Sequence, residues 1–263
     1  MRKLIAIALL LLTFTNLMAQ QQELSLKVMS FNIHHANPPA EEQSGKIDID
    51  AIANTIKQAD ADIIALQEID ENTQRSGKGN QAKLIAKKLG LKVYFAKAID
   101  FQGGAYGIAI LSKFPMSEHQ IYRLSNQADA KAEPRILQMV KLKLPGKRYI
   151  RFANTHLDFL KTGNRELQAQ QIVDIAKAEK LPLIIAGDWN ASPQSKTLNI
   201  MDSAFIRTCT DCPTTYPDDQ HSAAIDFIAF DKRVNIKVKS HQVLNQVQAS
   251  DHYPIVAELV LNK

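Results

Sequence analysis

The chain has 263 residues, 45% of them hydrophobic and 22% charged, a balance that excludes a disordered or fibrous protein and fits ordinary globular packing. Its formal charge of +5 gives no argument for a nucleic-acid partner, because Arg2 and Lys3 lie in a removable leader and their loss leaves +3. Two cysteines exclude a disulfide-rich scaffold.

Residues 1–19 have the basic, apolar and small-residue layout of a secretory signal peptide, with cleavage expected after Ala19. The apolar run at 4–12 is too short to span a bilayer comfortably, and no cysteine follows it to carry a lipid. The expectation is an exported chain, periplasmic or extracellular, without a transmembrane segment once the leader is gone, and a monomer. Residues 20–263 are then roughly 240 residues, the length of a single domain.

Alternation over 24–33 predicts a strand with Asn32 near its end, followed by His34-His35 and a loop at Asn37-Pro38-Pro39. Helical spacing predicts a helix over 47–59, and the short apolar run 62–67 a buried strand with Glu68 at its end. The polar loop 70–80 leads to an amphipathic helix over 81–89, stopped by Gly90. Strands are predicted over 92–99, 106–112 and 136–144, the first two joined by the turn Phe101-Gln102-Gly103-Gly104. The stretch 141–151 reads as a hairpin around Pro-Gly, its basic residues forming a solvated face rather than a binding stripe. A strand over 148–155 delivers His156 and Asp158, and the longest helix, 164–179, is expected to be capped by Asn164.

The apolar run Leu183-Ile184-Ile185-Ala186 stops at Gly187 and presents Asp188 and Asn190, two residues apart and so on one side of an extended segment. Alone, this is equally a turn, since Gly, Asp and Asn are ordinary turn residues. An irregular stretch to His221 follows, then strands over 225–230, 234–244 and 253–261. Cys209 and Cys212 are expected to close a disulfide after export, because His221 alone is too little to complete a zinc site.

Asn32, Glu68, His156 and Asp188 each follow a predicted strand, whereas Asp226 and Asp251-His252 precede or open theirs. For all of them to meet at one rim, the last strands must run antiparallel to the earlier ones, giving mixed sheets rather than a parallel nucleotide-binding fold. Neither GxGxxG nor a P-loop occurs. Carboxylates converging at a partly buried rim repel one another and lose hydration, so some protonate or a cation joins them. Carboxylates and an amide are hard oxygen ligands, suited to Mg²⁺ or Mn²⁺ better than Zn²⁺, with Glu68 the first choice and Asp251 the second. Asp226, inside Ala-Ile-Asp-Phe-Ile, is hard to explain as a surface strand residue. His34 and His35 would suit a zinc hydrolase but read better as residues that support the site's ligands or are structural. Tyr106 reads as wall and Trp189 as packing; Asp158 and Arg75 stand evenly between site edge and loop structure.

In chain order these residues resemble the motifs of the endonuclease/exonuclease/phosphatase superfamily, of the deoxyribonuclease I type. The matching motifs are Ser-Phe-Asn32-Ile-His, Leu-Gln-Glu68, Tyr106-Gly-Ile-Ala-Ile-Leu-Ser112, Pro134-Arg135, Asn154-Thr-His156-Leu-Asp158, Gly-Asp188-Trp-Asn190, Ile-Asp226-Phe and Ser250-Asp251-His252-Tyr-Pro254. The resemblance implies an α/β four-layered sandwich, two packed mixed sheets flanked by helices, with the site at one end. It implies a divalent metal on Glu68 with Asn32 and Asp251 near it. Asp188 and Asn190 would orient the attacking water and the phosphate, His156 and His252 would contact phosphoryl oxygens, Asp226 would orient His252, and Arg135 would support the site. Where the apurinic-endonuclease branch carries N-x-Y-x-P, this chain has Asn154-Thr-His156-Leu-Asp158, which argues against abasic-site repair. The function implied is a secreted phosphoesterase, with nucleic acid, phospholipid head groups and small phosphodiesters as candidate substrates and diesters expected over monoesters. The alternatives are a phosphomonoesterase of the same fold and a non-catalytic binding module, the second opposed by the intact set of site residues.

Overall fold

In the computed structural model, which describes residues 23–218 and 222–261, two six-stranded sheets pack face to face. The first holds β1 (Leu24–Asn32), β2 (Ile63–Glu71), β3 (Lys92–Phe101), β4 (Gly104–Ser112), β11 (Ile236–Val243) and β12 (Ile255–Leu261), in the order β11-β12-β1-β2-β4-β3. The second holds β5 (Met116–Arg123), β6 (Ile136–Leu144), β7 (Arg148–His156), β8 (Leu183–Asp188), β9 (Phe205–Arg207) and β10 (Asp226–Asp231), in the order β5-β6-β7-β8-β10-β9. Both sheets are mixed: β1 pairs with β2 and β7 with β8 in parallel, while β12 runs antiparallel to β1 and β10 antiparallel to β8. The expected reversal of the last strands is present, and it is what returns Asp226 and His252 to the end where Asn32, His156 and Asp188 leave theirs.

Strand alternation sorts the apolar residues into layers. Val28, Ile63, Ala65 and Ile110 meet Val140, Phe152, Ile184 and Ile228 between the sheets. On the outer face of the first sheet, Phe31, Ile64, Leu66 and Leu111 receive Ile52 and Ile56 of α1 (Ile49–Ala59) and Ile85 of α2 (Gln81–Leu89). On the outer face of the second, Met139, Ile185 and Phe227 receive Ala169, Ile172 and Val173 of α3 (Thr162–Ala178) and Leu198 of α4 (Lys196–Met201). β8 is buried at every position because it is covered on both faces, which is why it reads as an apolar run rather than an alternation. Each fully buried Ile, Leu or Phe contributes about 1.5–3 kcal/mol to this α/β/β/α stack.

Several boundaries differ from the sequence reading. β2 does not end before Glu68: it continues to Glu71 through an irregularity between Leu66 and Ile69. Asn164 does not cap α3, which starts at Thr162 after Lys161 and carries no side-chain cap; Asp158 Oδ1 instead accepts from Leu160 N at 2.9 Å and Lys161 N at 2.8 Å, ordering the turn that leads into the helix. β5, β9 and α4 were not expected. β5 is an edge strand of mostly polar residues, and the other two are too short to display a period. The Cys209–Cys212 disulfide is present. The leader expected at 1–19 and His221 lie outside the described residues. No helix among the described residues is long and apolar enough to cross a membrane.

Candidate active site

Register brings three site residues into a row. On adjacent strands, His156 of β7 pairs with Asp188 of β8, and Asp188 pairs with Asp226 of β10. All three are buried, with Asp188 only 1% exposed. Gly187 makes the row close-packed: its φ is +153°, and a Cβ there would lie 2.1 Å from Thr155 O. No side chain fits between β7 and β8 at this point, so the glycine before Asp188 is a requirement of strand approach and not of a turn.

The first sheet supplies Asn32 and Glu68. Glu68 sits in the β2 irregularity with φ +59°, a backbone state uncommon for a residue other than glycine. The bulge turns Gln67 into the space between the sheets, where its Nε2 donates to Asn154 Oδ1 at 2.8 Å, and leaves Glu68 half-buried at the rim. Asn32 Nδ2 donates to Glu68 Oε1 at 3.0 Å and to Asp188 Oδ2 at 3.1 Å, joining the two sheets at the site. Its Oδ1 accepts from His34 N at 3.1 Å. Ser250 Oγ lies 2.8 Å from Asn32 O and 3.1 Å from Asp251 Oδ1, which attaches the Asp251-His252 segment to the same corner.

His252 lies between two carboxylates. Its Nδ1 is 2.9 Å from Asp226 Oδ2 and its Nε2 is 3.8 Å from Asp188 Oδ2. Burial would lower this imidazole, but the charge and hydrogen bond of Asp226, followed by the charges of Asp188 and Asp251, outweigh it and push it up to about 10. Burial, and then the Asp226 charge, push the Asp188 carboxyl up to about 7, against the opposing pull of the His252 charge. His156 goes the other way: burial, and then the positive charges of Arg135 and His252, hold it well below its usual value. It is therefore a neutral ring, its Nε2 3.4 Å from Asp188 Oδ2. Asn190, at φ +48°, directs its backbone N–H to Asp188 Oδ1 at 2.9 Å and its side-chain Nδ2 to Leu157 O at 3.0 Å.

Asp188, Asp226 and His252 offer ligand atoms within 4.8 Å of one another, a group that could hold a metal ion. Of the three, His252 has Nδ1 engaged by Asp226, and the flanking carboxylates raise its affinity for a proton, which competes with a metal for the ring. Glu68 and Asp251 are the half-exposed carboxylates of the corner, Glu68 tied to Asp188 through Asn32 Nδ2, and their oxygens are hard donors of the kind a divalent cation such as Mg²⁺ or Mn²⁺ takes. Asn32 presents an amide N–H to two carboxylates at once, the position a cation would compensate, while its oxygen accepts from His34.

The remaining expectations resolve by contact. Arg135 is buried beside His156 and Tyr106 around a small recess, with Nη1 3.2 Å from Glu133 Oε1. Tyr106 is wall, and Trp189 packs on Phe227 with ring centroids 5.0 Å apart. His34, His35 and Ala36 are three successive residues with positive φ; His34 Nδ1 stands 3.9 Å from Asp251 Oδ1 at the edge of the site, while His35 O accepts from Gln81 Nε2 at 2.6 Å and burial first, then Arg75, holds the His35 ring down to about 4. Sequence reasoning missed Thr215, whose Oγ1 donates to Asp226 Oδ2 at 2.7 Å, and Tyr216, whose ring lies 4.9 Å from that of His252. Both come from an irregular stretch with no periodicity to mark them. Glu133 was also missed, although it stands beside the Pro134-Arg135 motif.

The sequence model described as the Endonuclease/Exonuclease/phosphatase family matches residues 29–252. Among solved structures, the chain is similar to an endonuclease/exonuclease/phosphatase family protein from Bacteroides thetaiotaomicron, with 22% identity and TM-score 0.74 over 92% of this chain and 100% of that one. It is similar to the mannosyl-6-phosphatase of Bacteroides thetaiotaomicron VPI-5482, with 20% identity and TM-score 0.73 over 90% and 100%. It is also similar to the human Nocturnin catalytic domain with bound sulfate anion, with 21% identity and TM-score 0.68 over 92% and 97%. At these identities the likeness is one of fold. No curated protein matches the chain.

Proposed function

Because this chain belongs to the endonuclease/exonuclease/phosphatase family, we propose that it is an exported, divalent-metal-dependent phosphoesterase that hydrolyses phosphodiester bonds. The observation that carries the reading is the buried chain Asp226–His252–Asp188, which sets an acid and a base beside one another. Asp188 accepts a proton as the water oxygen bonds to phosphorus. The bond from phosphorus to the departing alcohol breaks, and the His252 imidazolium, charge-balanced by Asp226, gives the alcohol oxygen its proton. His156, neutral, and Arg135 face the phosphoryl oxygens, and Asn32 and Asn190 fix the Asp188 carboxylate. A Mg²⁺ or Mn²⁺ held by Glu68, with Asp251 and Asn32 beside it, would neutralise charge developing on the phosphate.

The test is a screen of phosphate esters with purified protein lacking residues 1–19, with and without chelator. Turnover that requires added Mg²⁺ or Mn²⁺ supports the reading; a bound divalent ion with no turnover on any ester supports the binding module instead. Export is supported by the leader pattern and the Cys209–Cys212 disulfide. Its test is the mass of the secreted chain, which should begin at Gln20.

A phosphomonoesterase is the second reading. Arg165 adds a cation near this rim, its Nη1 2.8 Å from Asp158 O, and one neighbour in fold is named mannosyl-6-phosphatase. A dianionic ester calls for the denser cationic surroundings that Arg135 and Arg165 together approach.

A further inference from the structure

Beside Glu68 the rim deepens into a recess of about 100 Å³, bounded by Arg75, Ile99, Phe101, Tyr106 and Glu133. Its walls are tied in place. Arg75 gives Nε and Nη2 to Asp70 at 2.7 and 3.0 Å, and Asp70 also accepts from Thr73 at 2.8 Å and Ser76 at 2.6 Å. The Arg75 backbone N–H donates to the Gln102 side chain at 2.9 Å and Gln74 N–H to Gln102 O at 3.1 Å, which latches this loop to the β3–β4 turn. The guanidinium lies 4.7 Å above the Phe101 ring and 5.7 Å from that of Tyr106. Its Nη1 carries no hydrogen bond among the described residues. Glu133 Oε1 is buried without a hydrogen-bond partner, although Arg135 Nη1 forms an ion pair with it at 3.2 Å out of hydrogen-bond alignment.

The recess therefore offers one donor, one acceptor and an apolar face of Ile99, Phe101 and Tyr106. Asp70 already neutralises Arg75, and Glu68 and Glu133 are both carboxylates, so a second phosphate or any polyanion is repelled. A purely apolar alcohol would cover Arg75 Nη1 and Glu133 without pairing them, which is costly for buried charged groups. What satisfies all three features is an uncharged ring with adjacent hydroxyls and C–H faces. At a water's share of about 30 Å³, the recess of about 100 Å³ takes one edge of such a ring.

Resting on the phosphoester reading above, we propose that this recess is the subsite for the esterified alcohol and takes an uncharged, sugar-type polyhydroxyl group, with Glu133 accepting from and Arg75 donating to neighbouring hydroxyls. The kinetic test compares 4-nitrophenyl phosphodiesters of several hexoses with that of cyclohexylmethanol, the same ring size without hydroxyls. At least one hexose ester should be favoured in kcat/KM by roughly ten- to a hundredfold, the worth of leaving buried polar groups unpaired. That ratio should collapse toward one in Glu133→Gln, and in Arg75→Lys, which keeps the charge without the fork. Equal kcat/KM for hexose and cyclohexylmethyl esters, or a preference for oligonucleotides over both, overturns the subsite. The binding test needs no turnover: saturation-transfer NMR with methyl hexopyranosides should give signals in the wild-type chain that vanish in a Glu133→Gln variant of unchanged circular dichroism. If that variant does not fold, Arg75→Lys serves in its place. Sugar binding without turnover of any ester would sink the phosphoesterase reading and leave the subsite; no sugar binding would sink the subsite whatever the esters do.

Discussion

His252 Nδ1 stands 2.9 Å from Asp226 Oδ2, while Nε2 of the same ring stands 3.8 Å from Asp188 Oδ2. The ring is held between two buried carboxylates whose combined charge keeps it protonated in spite of its burial. An imidazolium donates and cannot accept, so in the proposed reaction the base is Asp188 and the acid is His252. Asp226→Asn keeps the shape and removes the charge. It should lower kcat by roughly 10²–10⁴, the usual worth of a general acid or base, and move the His252 titration back toward 6.5. Turnover and ring NMR on the same folded variant check both, and an unchanged kcat would remove this pair from the mechanism.

The same pair governs stability against pH. A group whose value is raised on folding contributes stability fully below its unfolded value, and that contribution is lost as pH rises through the folded value. For Asp188 the loss runs from about 3.8 to about 7, and for His252 from about 6.5 to about 10. His156 has the opposite sign: lowered by burial, it contributes above about 6.5 and loses that contribution as pH falls. Metal-free protein should therefore weaken steadily between about pH 7 and about pH 10, where His252 alone of the three is changing. Urea midpoints in the presence of chelator measure this, and Asp226→Asn should flatten the slope. A wild-type profile that is already flat across that window contradicts the protonated ring.

Chelation should abolish turnover and added Mg²⁺ or Mn²⁺ should restore it, with Glu68→Ala raising the metal concentration required. Glu68 is the residue to change because its positive φ, in a bulge that breaks the β2–β4 register, points to a backbone state kept for a purpose. Calorimetric titration with Mn²⁺ reads binding apart from turnover. Full activity after exhaustive chelation would remove the metal from the mechanism.

Legibility followed the reach of local pattern. The Asp188 strand was readable because it is covered on both faces and reads as an unbroken apolar run, and the antiparallel return of the last strands followed from which end of each strand the polar residues occupied. Glu68 was readable as a site residue but not as a bulge, since Leu-Gln-Glu continues directly into Ile-Asp-Glu with no glycine to mark the break. The edge strand β5 was invisible because most of its positions face water and it carries little apolar signal. Asn164 was misassigned because a lone Asn before a helical run looks like a cap, whereas its side chain accepts from Ala128 N and Asp129 N at 2.9 and 3.1 Å and tethers a distant loop. Thr215 meets Asp226 and Glu133 joins Arg75 in lining the recess only through tertiary placement, which no spacing in the chain encodes.

Phosphodiesters should be turned over faster than the matching monoesters. A diester carries one negative charge and an alkoxide that leaves poorly, so it gains most from a proton donor and from charge stabilisation; the His252 imidazolium and a cation held by Glu68 would provide both. A dianionic monoester needs more positive charge around its oxygens, and of the arginines here Arg75 is paired with Asp70 and Arg135 with Glu133, which leaves Arg165 as the cation that favours the second reading. Long duplex DNA is disfavoured separately: the net charge is small, +5 for the whole chain and +3 if Arg2 and Lys3 are removed with a leader, and each neutralised phosphate would add about −0.9 to the salt slope. Rates on a chromogenic diester, its monoester, a lipid phosphodiester and a plasmid, each across a salt series, separate these cases. Diester turnover above monoester turnover with a shallow salt slope is the expected result. Monoester turnover well above diester turnover would move the assignment to the phosphomonoesterase, and plasmid cleavage with a steep slope would move it to a nuclease.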